Sequence, residues 1–359
     1  MDYQAILLKA LNGARLSAEE GLTLFAEAPL LELGQVADQI RTKLHPDNKV
    51  TFVIDRNINY TNICTCACKF CAFFRAPGHK DGYVITREEL HAKIKETLDQ
   101  GGTQLLIQGG LNPELSLPYY EAMLEDIKAN FNIHIHSFSP PEIVHMARTS
   151  GLSLKEVIGR LKAAGLDSIP GGGAEILDDR VRKHISPRKI GWEQWMEVME
   201  TAHGLGMKTT VTMVIGSVES MQERINHFMH IRATQDRTGG FTAFIPWSFA
   251  LANTELGGEE TTGVDYLRTL AIARIMLDNV PNVQASWVTQ GAKMAQVALR
   301  FGANDFGSTM LEENVVRAAG VTNRVPLTEI IRSIQAAGHI PAQRNTLYEL
   351  LQEYPGGAS

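Results

Sequence analysis

The fifteen residues from Thr61 to Arg75, TNICTCACKFCAFFR, hold every cysteine of the chain: Cys64, Cys66, Cys68 and Cys71. Structural cysteines would be scattered over several elements, and the disulfide framework of a small secreted protein would spread them out to close loops. Four thiols crowded onto one glycine-free loop point instead to metal ligation. Cys64, Cys68 and Cys71 form C-x3-C-x2-C, with three thiolates able to curl round one metal centre. A structural zinc takes four protein ligands, usually as two separated pairs, and a second pair is missing here. Cys66 lies two residues from each of two other thiols and is poorly placed to complete a tetrahedron; its blander reading is a small residue filling the loop. Thiolates also hold iron–sulfur clusters, and three thiolates on a four-iron cluster leave one iron open to bind something reactive.

A chain of 359 residues with 44% hydrophobic composition can bury a large core in one domain or two. Its formal charge of -6 gives no general attraction to nucleic acid or to an anionic membrane. Without a basic, apolar N-terminal signal or a run of about 18 apolar residues, a soluble cytoplasmic protein with no stable membrane association is expected. Exposed thiols need that reducing compartment as well.

Upstream of the cysteines, Thr51 to Tyr60, TFVIDRNINY, has strand character and leads straight into the loop. Residues 1–50 read as a helical extension. Apolar faces run over Ala5 to Leu11 and Leu31 to Leu44, Ser17 and Glu20 form a capping box, and His45 to Asn48 stop the last helix. Downstream, a short β-rich run, a polar or glycine-rich turn and an amphipathic helix repeat. The strands are expected at Gln104 to Gln108, Ile133 to Phe138, Leu166 to Ile169, Lys208 to Ile215, Phe241 to Pro246 and Val283 to Trp287, with a short last one around Asp305 and Phe306. Eight such units predict an α/β fold of (β/α)8 barrel type over residues 51–320, or a partial, six-unit version of it. Residues 321–359, including TLYELLQEY, read as closing helices packed on the barrel.

In either barrel the chemistry gathers at the C-terminal strand ends. The cysteine loop follows strand one. Gln108, Gly109 and Gly110 follow strand two. After strand three, His134 and His136 alternate with Ile133 and Ile135, so the histidines share one face; their blander reading is a hydrogen bond to neighbouring backbone. After strand four, SIPGGGAEIL carries three consecutive glycines, costly to order unless the backbone takes positive φ or admits a ligand closely. Glu175 follows them, either as a functional carboxylate or as the cap of a helix beginning there.

The C-x3-C-x2-C loop with an aromatic, Phe70, before its last cysteine resembles that of the radical S-adenosylmethionine (SAM) superfamily. The resemblance implies one 4Fe-4S cluster held by Cys64, Cys68 and Cys71, with SAM chelating the open iron and cleaved to a 5'-deoxyadenosyl radical. It places Gln108, Gly109 and Gly110 at the amino group of SAM; Ser137 and Ser139 are then candidates for contacts to its carboxylate or ribose, and the Glu175 carboxylate can accept both ribose hydroxyls or take a proton. Val214 and Gly216, in MVIGSVE, correspond to the element beside adenine and ribose, with Glu219 as a structural carboxylate.

A narrower resemblance rests on RNINYTNIC, CKFCAFFR, SIPGGGAEIL, VRKHISPRK, MKTTVTMVIG, FIPWSF, ANTEL, QASWVTQG and GANDFGSTMLEENVV, which cover most of residues 55 to 320. They look like the cyclic dehypoxanthinyl futalosine synthase family of menaquinone biosynthesis, with aminofutalosine synthases and the deazaflavin-cofactor synthases as relatives. The extra thiol between the first two cluster cysteines and Phe74 in place of tyrosine depart from the pattern without removing a ligand. The resemblance implies hydrogen abstraction from ribose C4' of dehypoxanthine futalosine, attack of that carbon on the benzoate ring, and loss of a proton and an electron. It also implies a low-potential electron donor such as flavodoxin or ferredoxin.

For such a substrate, Arg56 and Arg75 are candidates for the carboxylate. His134, His136, Asn253, Thr254, Asn304 and Ser308 are candidates for polar contacts, and Trp247 and Phe249 for the ring. Glu175, Asp305, Glu312 and Glu313 are candidates for the base, against the alternative that the last two are helix caps. A different class of protein, a binding or electron-transfer protein with a structural cluster, would instead use four cysteine ligands and leave SAM intact.

Overall fold

The computed structural model describes residues 2–355. Its strands are β1 Lys49–Val53, β2 Asp55–Asn59, β3 Gln104–Gln108, β4 His134–Ser137, β5 Ser168–Ile169, β6 Lys208–Ile215, β7 Phe241–Ser248, β8 Asn282–Val283, β9 Asp305–Ser308, β10 Ile340–Arg344 and β11 Leu350–Glu353. β2 to β8 lie in sequence order in one seven-stranded parallel sheet, and a second sheet has the order β11-β10-β1-β9. Only Ile54 separates β1 from β2, so the two are halves of one extended run that changes partners midway. Thr51 pairs with Asp305 of β9, and Gln284, just past β8, bridges the same Asp305. Backbone bonds from Thr309 to Val53 (2.9 Å) and Leu311 to Asp55 (3.1 Å) continue the seam. β9 thus fills the gap between β8 and the first strand, and eight parallel strands surround a central space.

Alternation along these strands decides what faces that space. In β2, Asp55 and Asn59 line cavities inside the barrel, whereas Arg56 turns outward to Glu96 at 2.8 Å. In β3, Gln104, Leu106 and Gln108 face in while Leu105 and Ile107 are buried under the surrounding helices. Several of those helices start at side-chain caps. Thr86 accepts from Glu89, and Ser153/Glu156 and Ser220/Glu223 form full capping boxes. The helical N-terminal segment is as the sequence predicts, with helices at Tyr3–Leu11, Ala18–Glu27 and Leu30–Leu44 and the Ser17/Glu20 capping box in place. These helices pack on the outside of the barrel: Arg15 pairs with Asp236 (2.6 Å), and Arg268 donates to the carbonyl of Ala28 (2.6 Å). Among the described residues, no helix is long and apolar enough to cross a membrane.

Three expectations need correction. β8 stops at Val283, and Trp287 opens the helix Trp287–Ala298, its indole donating to the carbonyl of Ser308 (2.7 Å). No helix starts at Glu175, whose φ of 38° is incompatible with one; Asp178 caps the helix Asp179–Ile185 instead. After the expected helix Leu327–Ala336, the end of the chain is a β-hairpin: β10 runs parallel to β1 and β11 folds back antiparallel. Asn345 diverts TLYELLQEY from helix, because its Oδ1 accepts from the backbone of Leu347 (2.9 Å) and Glu349 (3.0 Å), closing a turn that competes with helical bonding.

Candidate active site

The cysteine loop leaves β2 at the C-terminal end of the barrel and is fixed by its neighbours. Cys64 N–H donates to Arg75 O (2.9 Å), Thr65 N–H to Leu111 O (3.1 Å) and Lys69 N–H to Ile185 O (2.9 Å). Arg75 folds its guanidinium over the carbonyls of Ala72, Phe73 and Phe74, so it holds the loop together. All four cysteines line one chamber of about 250 Å³, together with Phe70, Gln108, Glu142, Glu175, Lys189 and Trp247. Cys66 is buried, with its sulfur 3.8 Å from the carbonyl of Arg188. Hydrogen bonding from Cys66 holds the Cys64 and Cys68 thiols below their ordinary range, aided by the positive charge of Lys189, while Cys66 itself is pushed up. Among the described residues, no three Cys, His or carboxylate side chains converge on one metal ion. A cluster that takes each thiolate on a different iron does not need them to.

Gln108 to Leu111 form one wall of this chamber. Glu142 organises it from behind: it accepts from Gly109 N–H (2.9 Å), Tyr60 O–H (2.8 Å), Ser139 N–H (2.7 Å) and Ser139 O–H (2.5 Å). Burial pushes its carboxyl up to about 7 against the pull of those donors. The glycines here answer chiefly to the protein's own packing. A Cβ on Gly110 would sit 2.2 Å from the carbonyl oxygen of Ile63, and one on Gly171 would sit 2.5 Å from Cα of Val211. Close approach of neighbouring backbone therefore explains these two positions without a ligand.

Opposite lies an ion pair. Lys189 Nζ donates to Glu175 Oε1 at 2.7 Å, with Arg182 Nη1 3.8 Å from Oε2. Glu175 Oε2 is buried without a hydrogen-bond partner among the described residues. Burial works against the charge on Lys189, but Cys68, Glu175 and Cys66 outweigh it and hold the ammonium above its ordinary range. The same ammonium stands 4.9 Å from the centroid of the Phe70 ring.

Below this chamber, inside the barrel, is a second cavity of about 140 Å³ that shares Gln108, Gly172, Thr212 and Trp247 with the first. Its walls include Trp287, Ile245 and Met310, and its polar groups include Asp55, Gln104, His136, Gln284, Ser308 and Arg344. Ser308 O–H and Gln104 Nε2 both donate to Asp55, Thr346 O–H donates to Gln104 Oε1 (2.5 Å), and burial raises the Asp55 carboxyl. Arg344 holds Asp305 with two donors, at 2.5 and 3.1 Å.

The radical SAM superfamily model matches residues 58–231, and the CofH/MqnC C-terminal region matches residues 238–355. A cyclic dehypoxanthine futalosine synthase of Halalkalibacterium halodurans is 49% identical over 99% of this chain and 96% of its own length. The chain belongs to the radical SAM superfamily, in the branch carrying the CofH/MqnC C-terminal region. A second cyclic dehypoxanthine futalosine synthase, from Streptomyces coelicolor, is 48% identical over 98% of this chain and 89% of its own length. The 5-amino-6-(D-ribitylamino)uracil--L-tyrosine 4-hydroxyphenyl transferase of Archaeoglobus fulgidus is 44% identical, over 89% of this chain and 94% of its own length. Among solved structures, the FeFe-hydrogenase maturase HydG from Carboxydothermus hydrogenoformans superposes with a TM-score of 0.77 at 16% identity, covering 96% of this chain and 80% of that one. Methylornithine synthase superposes with a TM-score of 0.74 at 16% identity, covering 94% and 97%. These two share the fold.

In this radical SAM enzyme, the residues that the sequence singles out fall into two groups. Cys64, Cys68, Cys71, Phe70, Gln108, Gly109, Gly110, Glu175, Val214, Trp247 and Phe249 line the thiol chamber, and His136 and Ser308 line the lower cavity. Most of the rest stand elsewhere. Ser137 is buried and donates to Ile107 O, while Ser139 reaches the chamber wall. Gly216 packs on Thr261, its N–H held by Glu219. Arg56 and Glu312 form an outer cluster with Glu96 and Lys93, and Glu313 caps the short helix Val315–Ala318. Asn253 donates to Ala318 O, Thr254 to Leu251 O, and Asn304 ties Arg274 to Asn282. His134 and His136 do share a face, both bonded to Ser168 Oγ. Asp305 is neutralised by Arg344, which removes it as a free base.

Sequence reading missed Lys189, Glu142, Asp55, Gln104 and Arg344. Asp55, Asn57 and Asn59 alternating in β2 with Gln104 and Gln108 in β3 are a legible sign of a polar barrel interior, because inward positions that are polar on adjacent parallel strands need partners in the centre. Lys189 lies in VRKHISPRK, and no spacing rule links it to a glutamate fourteen residues earlier.

Proposed function

We propose that this enzyme is a cyclic dehypoxanthine futalosine synthase, acting on dehypoxanthine futalosine in the cytoplasm with one 4Fe-4S cluster, SAM and a low-potential donor of the flavodoxin or ferredoxin class. The observation carrying this reading is near-full-length identity of 49% and 48% to two enzymes of that name, spanning both the thiol loop and the C-terminal region. When bound, the cluster and SAM supply the radical that removes hydrogen from the substrate. Cys64, Cys68 and Cys71 are the proposed cluster ligands: they line one chamber, hydrogen bonding from Cys66 and the charge of Lys189 favour the thiolates of Cys64 and Cys68, and burial pushes the Cys71 thiol up.

The chain's own residues account for binding, positioning and exclusion of water. The free acceptor Oε2 of Glu175 is suited to a ribose hydroxyl, and Lys189 holds its other oxygen still. Glu142 fixes the Gly109 peptide and with it the wall that meets the amino group of SAM. Trp247, common to both cavities, stands where SAM and substrate would meet. The lower cavity takes the aromatic part of the substrate between Trp247 and Trp287, holding it where the sugar radical meets the ring rather than a competing hydrogen donor.

Anaerobic reconstitution tests this reading. With reductant and SAM, dehypoxanthine futalosine gives the cyclised product and free 5'-deoxyadenosine. Activity only on tyrosine with 5-amino-6-(D-ribitylamino)uracil would move the enzyme to the transferase relatives, and a loaded cluster that leaves SAM intact would make it a binding or electron-transfer protein.

A further inference from the structure

The lower cavity is not built by the barrel strands alone. The hairpin that closes the chain brings Arg344, Thr346 and Tyr348 to its lining. Tyr348 sits at φ 67°, a conformation that a bulky residue adopts only when its surroundings hold it there. Those surroundings are visible: its ring lies over the Arg344 guanidinium at 3.9 Å, Arg344 is gripped by Asp305, and Thr346 is tied to Gln104. Yet the Tyr348 hydroxyl, the group this arrangement carries to the barrel floor, is buried with no hydrogen-bond partner among the described residues.

A buried hydroxyl without a partner loses its hydration for no return, a cost that a bound acceptor would offset. Burial also keeps it protonated, and hence a donor. The surrounding charges set what it can donate to. Tyr348 feels two guanidiniums, Arg344 and the fully buried Arg274, whose partners among the described residues are carbonyl and amide oxygens of Gly302, Pro281 and Asn304. Against them stand Asp305, already paired, and Asp55, whose carboxyl burial holds towards its neutral form. Two guanidiniums thus face one carboxylate that is already paired, and an anion is favoured there.

We infer that Tyr348 is a specificity-determining residue of this enzyme, its hydroxyl donating to the carboxylate of the substrate's aromatic ring at the barrel floor. This rests on the proposed futalosine substrate. It gives the C-terminal region, which contributes no thiol, a direct part in choosing what is cyclised.

The test is equilibrium binding to the reconstituted enzyme with SAM but no reductant, so that nothing turns over. Wild-type enzyme binds dehypoxanthine futalosine about tenfold or more tightly than its analogue lacking the ring carboxylate, as one hydrogen bond to a charged group allows. Tyr348→Phe binds both alike, and its Tm without substrate is not lowered, since the lost hydroxyl had no partner. If Tyr348→Phe discriminates as well as wild type, whatever its Tm, the inference is overturned and the function stands. If the wild type binds neither compound, the substrate assignment fails and the inference with it.

Discussion

Lys189 Nζ and Glu175 Oε1 lie 2.7 Å apart inside the chamber that all four thiols line. The pair fixes a cation beside the sulfurs and leaves one carboxylate oxygen as a free acceptor, two charges that would be costly to bury singly. Lys189→Met removes the direct partner of Glu175, leaving Arg182 at 3.8 Å, and is expected to lower stability by about 3 kcal/mol. Lys189→Met/Glu175→Gln recovers most of that loss while SAM cleavage stays impaired in both. Urea unfolding beside a 5'-deoxyadenosine assay checks this; full recovery of cleavage in the double variant would reduce the pair to a structural role.

The ligand set has a sharp test. Cys64→Ala, Cys68→Ala and Cys71→Ala each lose the cluster and SAM cleavage, whereas Cys66→Ala keeps both, because Cys66 packs towards the Arg188 carbonyl. Iron content and the cluster spectrum of the four variants decide it. Loss in Cys66→Ala with retention in Cys64→Ala would shift the register.

Glu142 predicts an unusual pH dependence. Its carboxyl is raised from 4.5 to about 7 in the folded state, so between those values the native protein holds a proton that the unfolded chain has released. Its contribution is therefore intact below about 4.5 and falls as pH rises to 7, by ~3 kcal/mol. Urea titrations across that range should show this decline in wild type and a flatter profile in Glu142→Gln. Parallel profiles would mean that the carboxyl titrates normally.

The barrel was legible because its strands announce themselves locally. Gln104 to Gln108 and Lys208 to Ile215 match the observed strands residue for residue, since short apolar or β-branched runs bounded by polar turns are legible locally. The last turns of the chain were not legible. Leu350 to Glu353 pattern equally well as helix, and it is the pairing of β10 with β1, some 290 residues away, that makes them a hairpin. The site divides in the same way: the thiol loop and Glu175 announce themselves, whereas Lys189 and Arg344 act through partners that only folding brings near.

Arg344 and Asp305 tie that hairpin to β9. Arg344→Met leaves a fully buried carboxylate unpaired and is expected to cost about 3–5 kcal/mol, with Arg344→Met/Asp305→Asn losing less than the single change. Denaturant midpoints of the three proteins measure it. A single variant as stable as wild type would show that the pair is dispensable.

In the proposed reaction the radical abstracts hydrogen from the ribose, and the sugar carbon then closes on the ring. Dehypoxanthine futalosine deuterated at ribose C4', incubated anaerobically with the reduced enzyme and SAM, should give 5'-deoxyadenosine carrying one deuterium and a cyclic product with unchanged carbon count. Unlabelled 5'-deoxyadenosine beside cyclised product, or adenosyl carbon within the product, would contradict the account.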